Sequence, residues 1–87
     1  MGYKFIFLPD ALKQLRALDQ STVQRILKKL QWIEKQKDPL HHSVPLHYAA
    51  IGDIRFRIGD YRVIGLLDPH KKQITIAAIG HRREIYT

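Results

Sequence analysis

The sequence predicts an α+β fold: a small antiparallel β-sheet, in the order β-α-α-β-β-β, packed on one face by an N-terminal helical hairpin. Two segments with apolar residues at helical spacing lie in the first half of the chain, and strand-like alternation dominates the second half. Both predicted helices follow the first strand and precede the others, so they are expected to cover one sheet face. The 87 residues suffice for one small core, so we expect a single domain over residues 1–87.

The first strand is predicted over residues 3–8, where aromatic side chains recur at every second position. Pro9 ends this strand, and Asp10 is the expected N-cap of a helix over residues 11–18. The leucines at helical spacing predict its buried stripe: Leu12, Leu15 and Leu18.

The second helix is predicted over residues 22–37, because Ser21 and Gln24 match a capping box. Trp32 falls off its apolar stripe; we favour packing on a second face over a role as a base-stacking platform. The predicted buried residues of this helix are Val23, Ile26, Leu27, Leu30 and Ile33.

Residues 38–50 lack a regular pattern and contain three histidines, His41, His42 and His47. Adjacent histidines splay apart, and the only nearby carboxylate is Asp38, so we favour a solvated loop over a zinc site. No metal site and no cofactor is expected.

A β-hairpin is predicted over residues 54–64. Apolar and basic residues alternate up to Ile58, and Gly59-Asp60 has the composition of a two-residue turn. The turn sets the register, which pairs Ile58 with Tyr61, Arg57 with Arg62, Phe56 with Val63 and Arg55 with Ile64.

The two faces of this hairpin differ in chemistry. One is apolar and is expected to seat the helices; it carries Ile54, Phe56, Ile58, Tyr61 and Val63. The other carries Arg55, Arg57 and Arg62 and is expected to remain open to solvent. Directly opposed like charges destabilise a sheet, so we favour a functional role towards an anion over a merely solvated face.

A further strand is predicted over residues 73–79, after a turn over residues 68–72, and its register is left open. The tail that follows supplies an imidazole, two guanidinium groups and a phenol, from His81, Arg82, Arg83 and Tyr86. If the tail folds back beside the sheet arginines, acid–base candidates join them.

The formal net charge is +7 and the estimated pI is 10.0, which favours a polyanionic partner. The chain has no cysteine, which excludes disulfides and thiolate zinc sites and fits a reducing cytoplasm. No apolar run approaches the length of a membrane span, so no membrane partner is expected.

The chain resembles the RelE/ParE superfamily of bacterial toxins from toxin–antitoxin modules. The resemblance covers the whole length and is densest in residues 54–64, Ile-Arg-Phe-Arg-Ile-Gly-Asp-Tyr-Arg-Val-Ile, and residues 79–86, Ile-Gly-His-Arg-Arg-Glu-Ile-Tyr. The start also looks like the family, with an aromatic strand leading into residues 9–12, Pro-Asp-Ala-Leu. The fold that the resemblance implies, a single RelE-like toxin domain, is the one derived above.

The RelE branch resembles this chain better than the ParE branch. The resemblance implies a ribosome-dependent mRNA endonuclease that cleaves without a metal, through attack of a ribose 2′-hydroxyl on the adjacent phosphate. It implies that Arg62 and Arg82 stabilise the charge of the transition state and that Tyr86 accepts a proton or stacks on a base. The implied RNA-binding residues are Arg55, Arg57, His81 and Arg83. A cognate acidic antitoxin is the expected protein partner.

Three other functions stay open. The main alternative is a ParE-like toxin that poisons DNA gyrase and has no RNase activity. The second is a plain RNA-binding module without chemistry, and the third is a degenerate toxin that retains only antitoxin binding.

Overall fold

The computed structural model describes residues 2–46 and 52–85, which form two helices packed on a mixed five-stranded sheet. The elements in chain order are β1 (Lys4–Phe7), α1 (Pro9–Arg16), α2 (Gln20–Glu34), a 3₁₀ helix (Pro39–His42), β2 (Ser43–Pro45), β3 (Ile54–Ile58), β4 (Tyr61–Asp68) and β5 (Gln73–His81). The α+β prediction with an N-terminal helical hairpin is confirmed.

The strands are ordered β1-β5-β4-β3-β2 across the sheet. β3, β4 and β5 are consecutive antiparallel neighbours, and the predicted register of residues 54–64 is confirmed, including the opposition of Arg57 and Arg62. β1 is parallel to β5, with Lys4 opposite Gln73, so the expectation of a purely antiparallel sheet is wrong. The last strand lies beside the first and runs in the same direction.

The expectation of an irregular loop after α2 is also wrong in part, because β2 forms there and pairs with β3. Three residues that include Pro45 carry no strand periodicity, and a proline is tolerated at the sheet edge. Tertiary pairing therefore specifies this strand, with Val44 opposite Arg55.

Both predicted helix starts are displaced. α1 begins at Pro9, with Leu8 as its N-cap, and Asp10 lies in the first turn instead of capping the helix. Asp19, not Ser21, caps α2: its carboxylate accepts hydrogen bonds from the Thr22 amide at 3.1 Å and from the Ser21 and Thr22 hydroxyls at 2.6 Å.

Within residues 2–46 and 52–85, neither helix combines the length and apolar character needed to cross a membrane.

The core lies between the helices and the apolar face of the hairpin, as predicted. The rings of Phe5 and Phe56 pack edge to face at 5.4 Å. The Gln14 side chain joins α1 to the sheet, since its Oε1 accepts a hydrogen bond from the Ile79 amide at 2.8 Å. Leu27 was expected in the core but is partly exposed. The buried core residues include Ala11, Leu15, Ile26, Leu30, Ile33, Phe56, Ile58, Val63, Ile74 and Ile76.

Candidate active site

The three sheet arginines lie on the sheet face opposite the helices. Residues directly paired across strands share a face, and successive residues alternate. Arg57, Arg62 and Gly80 form one row across β3, β4 and β5, and Arg55 starts the next row on β3. The hairpin register therefore brings Arg55, Arg57 and Arg62 to one surface, which we call the arginine face.

The arginine face is not uniformly open to solvent, which corrects the sequence-based expectation. Arg57 is exposed and Arg55 is half-buried, whereas Arg62 is only 8% exposed. The Nη1 of Arg62 donates hydrogen bonds to the carbonyl oxygens of Gly59 at 3.2 Å and Tyr61 at 3.1 Å. Arg62 is therefore held by the backbone of the hairpin turn.

A second part of this face is covered by the segment that leads into β3. Ile64, which faces the same side as the arginines, is only 1% exposed. A Cβ at Gly52 would collide with Ile64 Cγ2, so this close approach requires glycine. Asp53 fixes the segment, because its amide donates to the Gly65 carbonyl oxygen at 2.9 Å.

The start of the tail is joined to the hairpin turn. The Arg82 amide donates to the Asp60 carbonyl oxygen at 2.8 Å, and Arg82 Nε lies 3.8 Å from Asp60 Oδ1. Arg62 and Arg82 therefore both interact with the Gly59–Asp60 turn, although Arg62 is in β4 and Arg82 follows the end of β5.

The tail then turns back over the arginine face. The amides of Glu84 and Ile85 donate to the His81 carbonyl oxygen at 2.9 and 3.0 Å, which closes a tight turn. Ile85 lies against Gly80, where a Cβ would stand 3.1 Å from Ile85 Cδ1. Because Gly80 shares its face with Arg62, Ile85 is on that face as well. Tyr86, the expected proton acceptor or base-stacking residue, lies outside the described residues.

His81 lies on the other side of the sheet. It is paired with Tyr61, which packs against the core, and the two rings contact edge to face at 5.5 Å. Its Nδ1 accepts a hydrogen bond from the Arg83 amide at 3.2 Å. The structure therefore does not bring His81 together with the sheet arginines, because alternation along β5 turns it towards α1. Arg83 is exposed.

Sequence reasoning missed one cation at the hairpin turn. The Cζ of Arg25, on α2, lies 3.9 Å from the position that a Cβ on Gly59 would occupy. No local sequence signal could have found this neighbour, because helix packing alone brings α2 to the turn.

The histidines after α2 do not form a metal site in the part of the chain that the structure describes. The rings of His41 and His42 are 5.7 Å apart, edge to face. Among residues 2–46 and 52–85, no group of three or more His, Asp or Glu side chains could hold a metal ion. His47 lies outside the described residues.

Solved structures with a similar fold include the following three. A chain of the toxin–antitoxin complex RelBE2 from Mycobacterium tuberculosis has a TM-score of 0.81 and 22% identity, over 94% of this chain and 100% of that one. A chain of the archaeal RelE–RelB complex from Pyrococcus horikoshii OT3 has a TM-score of 0.74 and 26% identity, over 97% of this chain and 99% of that one. A mutant of the E. coli toxin RelE in the free state has a TM-score of 0.64 and 21% identity, over 99% of this chain and 92% of that one.

The sequence itself identifies the family. No curated protein matches the chain. Residues 5–86 match the sequence model of the family described as ParE toxin of type II toxin–antitoxin system, parDE. This match includes the hairpin, the sheet arginines and the tail. The chain therefore belongs to the ParE toxin family of the RelE/ParE superfamily and is a toxin of a type II toxin–antitoxin system.

Proposed function

We propose that this toxin is a ribosome-dependent mRNA endonuclease that stops translation in the cytoplasm. The observation that carries the proposal is the shared attachment of Arg62 and Arg82 to the Gly59–Asp60 turn, beside the exposed Arg57. Guanidinium groups bind phosphate oxygens in bidentate fashion, and a cluster of them favours a phosphodiester over a neutral ligand.

The proposed reaction needs positive charge where the phosphorane forms. The 2′-oxygen attacks the adjacent phosphorus, the P–O5′ bond breaks, and the products are a 2′,3′-cyclic phosphate and a 5′-hydroxyl. One proton leaves the 2′-hydroxyl and one reaches the departing 5′-oxygen. Arg62 is held in place before substrate arrives, so it can stabilise the developing charge with little reorganisation.

The other residues take supporting roles in this proposal. Arg82 can exchange its ion pair with Asp60 for a phosphate at little cost, because that pair is exposed and its N–O distance is 3.8 Å. Arg55 and Arg57 position the RNA backbone, Arg83 contacts ribosomal RNA, and Tyr86 accepts the proton of the 2′-hydroxyl. His81 is not assigned a role, because its ring faces Tyr61.

Single-turnover cleavage of a message on the ribosome tests this proposal. Arg62→Ala, Arg57→Ala and Tyr86→Phe are compared with Lys13→Ala, which removes an exposed cation from α1. We expect Arg62→Ala to slow cleavage by about 100-fold, the usual cost of losing one charge-stabilising donor, and Lys13→Ala to leave the rate unchanged. Circular dichroism checks that each variant is folded. Near wild-type rates in both Arg62→Ala and Tyr86→Phe would reject the assignment.

The match to the ParE family favours a second candidate function, the poisoning of DNA gyrase without RNA cleavage. Cells arrested by the toxin separate the two candidates. Cuts in messenger RNA with intact DNA support the endonuclease, whereas DNA breaks with intact messages support the gyrase poison.

We also propose an acidic antitoxin as the protein partner. Two of the similar structures are toxin–antitoxin complexes, and the charge of this chain is +7. Electrostatic attraction predicts that the affinity of purified toxin for its antitoxin falls as salt is raised. An affinity that does not depend on salt would contradict an acidic partner.

A further inference from the structure

A groove of about 570 Å³ runs along the exposed side of α2, away from the arginine face. Its residues recur at three- and four-residue spacing, so they form one stripe on the helix. The stripe is polar and basic, and it ends in an aromatic ring. The residues that line the groove are Ser21, Gln24, Arg25, Lys28, Lys29 and Trp32. We call this surface the α2 groove.

The positive charge of the α2 groove is not balanced locally. None of its lining residues is acidic, and within residues 2–46 and 52–85 no ion pair involves Arg25, Lys28 or Lys29. The carboxylates at the two ends of α2 have other roles. Asp19 caps the helix, and Glu34 accepts a hydrogen bond from the Phe5 amide at 2.9 Å. A ligand that carries negative charge would therefore meet three cations with no competing carboxylate in the groove.

The expectation that Trp32 packs on a second face of α2 holds only in part, because its ring contacts His42 but the residue is 46% exposed. Its ring contacts His42 edge to face at 4.9 Å, and the Nζ of Lys29 lies 4.2 Å from its centroid. These contacts orient the ring, with the Lys29 ammonium over one of its faces, and still leave the residue 46% exposed. An exposed, oriented indole beside cations is the arrangement that binds a stacked base and its phosphate together.

The α2 groove lies next to the hairpin turn that also holds Arg62. The Arg25 guanidinium lies beside Gly59, and the Gly59 carbonyl oxygen accepts the hydrogen bond from Arg62. From Arg25 to Trp32 the helix rises about 10 Å, at 1.5 Å per residue. One strand that crosses the hairpin turn could therefore contact both surfaces.

We propose that the α2 groove binds a single-stranded segment of RNA, with phosphates on Arg25, Lys28 and Lys29 and one base against Trp32. The choice of RNA rests on the proposed function. An acidic peptide would satisfy the cations, but it would leave the indole without a planar partner, so the exposed ring favours a nucleic acid.

Trp32 is the only tryptophan in the chain, so its fluorescence reports on this groove alone. The probe is a 2′-O-methyl oligouridine of about ten nucleotides, a length within the usual range of single-strand sites. It lacks a free 2′-hydroxyl and cannot be cleaved by the proposed reaction. Titration of the full-length toxin is expected to quench the Trp32 emission, with an affinity that weakens as salt is raised.

Two matched double variants distinguish binding in the α2 groove from general electrostatic attraction to a basic protein. Arg25→Glu/Lys28→Glu and Lys13→Glu/Arg16→Glu each reverse one arginine and one lysine, three residues apart, on an exposed helix face. Binding to a fluorescein-labelled probe is followed by anisotropy. We expect the α2 variant to weaken binding more than tenfold and the α1 variant by less than threefold. Trp32→Ala is expected to weaken it about tenfold.

Any of three outcomes would overturn the inference. The two double variants could lose the same amount of binding affinity, or the probe could bind without changing the Trp32 emission. Oligoglutamate could also quench the emission as strongly as the probe does, which would indicate an acidic protein partner.

The experiments also distinguish failure of the groove proposal from failure of the cleavage proposal. A toxin that binds the probe but leaves messages intact refutes cleavage and keeps the groove. A toxin that cuts messages but does not bind the probe refutes the groove alone.

Discussion

Arg57 and Arg62 face each other directly across β3 and β4, yet their environments differ. Arg57 is exposed, whereas Arg62 is 8% exposed and donates two hydrogen bonds to backbone carbonyl oxygens. One arginine of the pair is therefore fixed by the fold, and the other can follow a ligand.

The asymmetry of this pair predicts opposite effects on stability. Arg57→Thr removes a like-charge opposition and should raise the free energy of unfolding by about 0.2–1 kcal/mol at low salt. Arg62→Thr removes hydrogen bonds made by a buried charged group and should lower it by about 1–3 kcal/mol. Urea unfolding at low and high salt measures both, and the gain from Arg57→Thr should shrink as salt screens the repulsion. Equal losses in the two variants would contradict this account.

Gly80→Ala should disturb the packing of the tail on the arginine face. The new Cβ would stand 3.1 Å from Ile85 Cδ1, so Ile85 must move by a few tenths of an ångström. We expect slower cleavage with a loss of at most about 1 kcal/mol in stability, because the site is near the surface. Hydrogen exchange of the tail amides and single-turnover cleavage measure the two effects. Ile85→Ala added to Gly80→Ala should restore the tail amide protection, and no recovery would argue against a steric cause.

Gly59→Val should destabilise the hairpin, whereas Gly59→Asn should be tolerated better. Gly59 has a φ of 59°, where a β-branched residue costs about 1–2 kcal/mol and asparagine less. The nearest atoms to an added Cβ are those of the Arg25 guanidinium at 3.9 Å, so the cost comes from the backbone and not from a collision. Thermal unfolding of the two variants checks the order, and equal midpoints would contradict it.

Gln14→Met should weaken the attachment of α1 to β5. It keeps the size of the side chain but removes the acceptor for the Ile79 amide, which should cost about 1–3 kcal/mol. Gln14→Glu retains an acceptor and is the control. Hydrogen exchange of the Ile79 amide tests the cause, because exchange should be faster in Gln14→Met than in Gln14→Glu. Similar exchange rates would mean that the loss of stability does not come from this hydrogen bond.

Asp19→Ala should remove a pH-dependent part of the stability. Hydrogen bonds from the Ser21 and Thr22 hydroxyls and the Thr22 amide lower the pKa of Asp19 from 3.8 to about 2. Because the folded pKa is the lower one, the cap stabilises the protein fully above pH 3.8 and loses this effect as the pH falls towards 2. The difference in stability between wild type and variant should therefore be constant near neutral pH and should narrow below pH 3.8. A difference that does not change with pH would contradict the cap.

The sequence by itself determined the helical hairpin, the register of β3 and β4, and the face shared by Arg55, Arg57 and Arg62. These features follow from local periodicity and from a two-residue turn that leaves only one register. The alternation of side chains along a strand also fixes which of them share a face, whatever packs against that face.

Only the tertiary structure decided the remaining strand pairings and the surroundings of the site residues. The parallel pairing of β1 with β5 joins strands far apart in the chain, and β2 is defined by its pairing with β3, so no local pattern specifies either feature. The burial of Arg62, the turn of His81 towards Tyr61 and the approach of Arg25 to Gly59 likewise depend on which segments pack together. Local periodicity assigns a residue to a face, but only long-range packing decides whether that face is covered and which charges meet there.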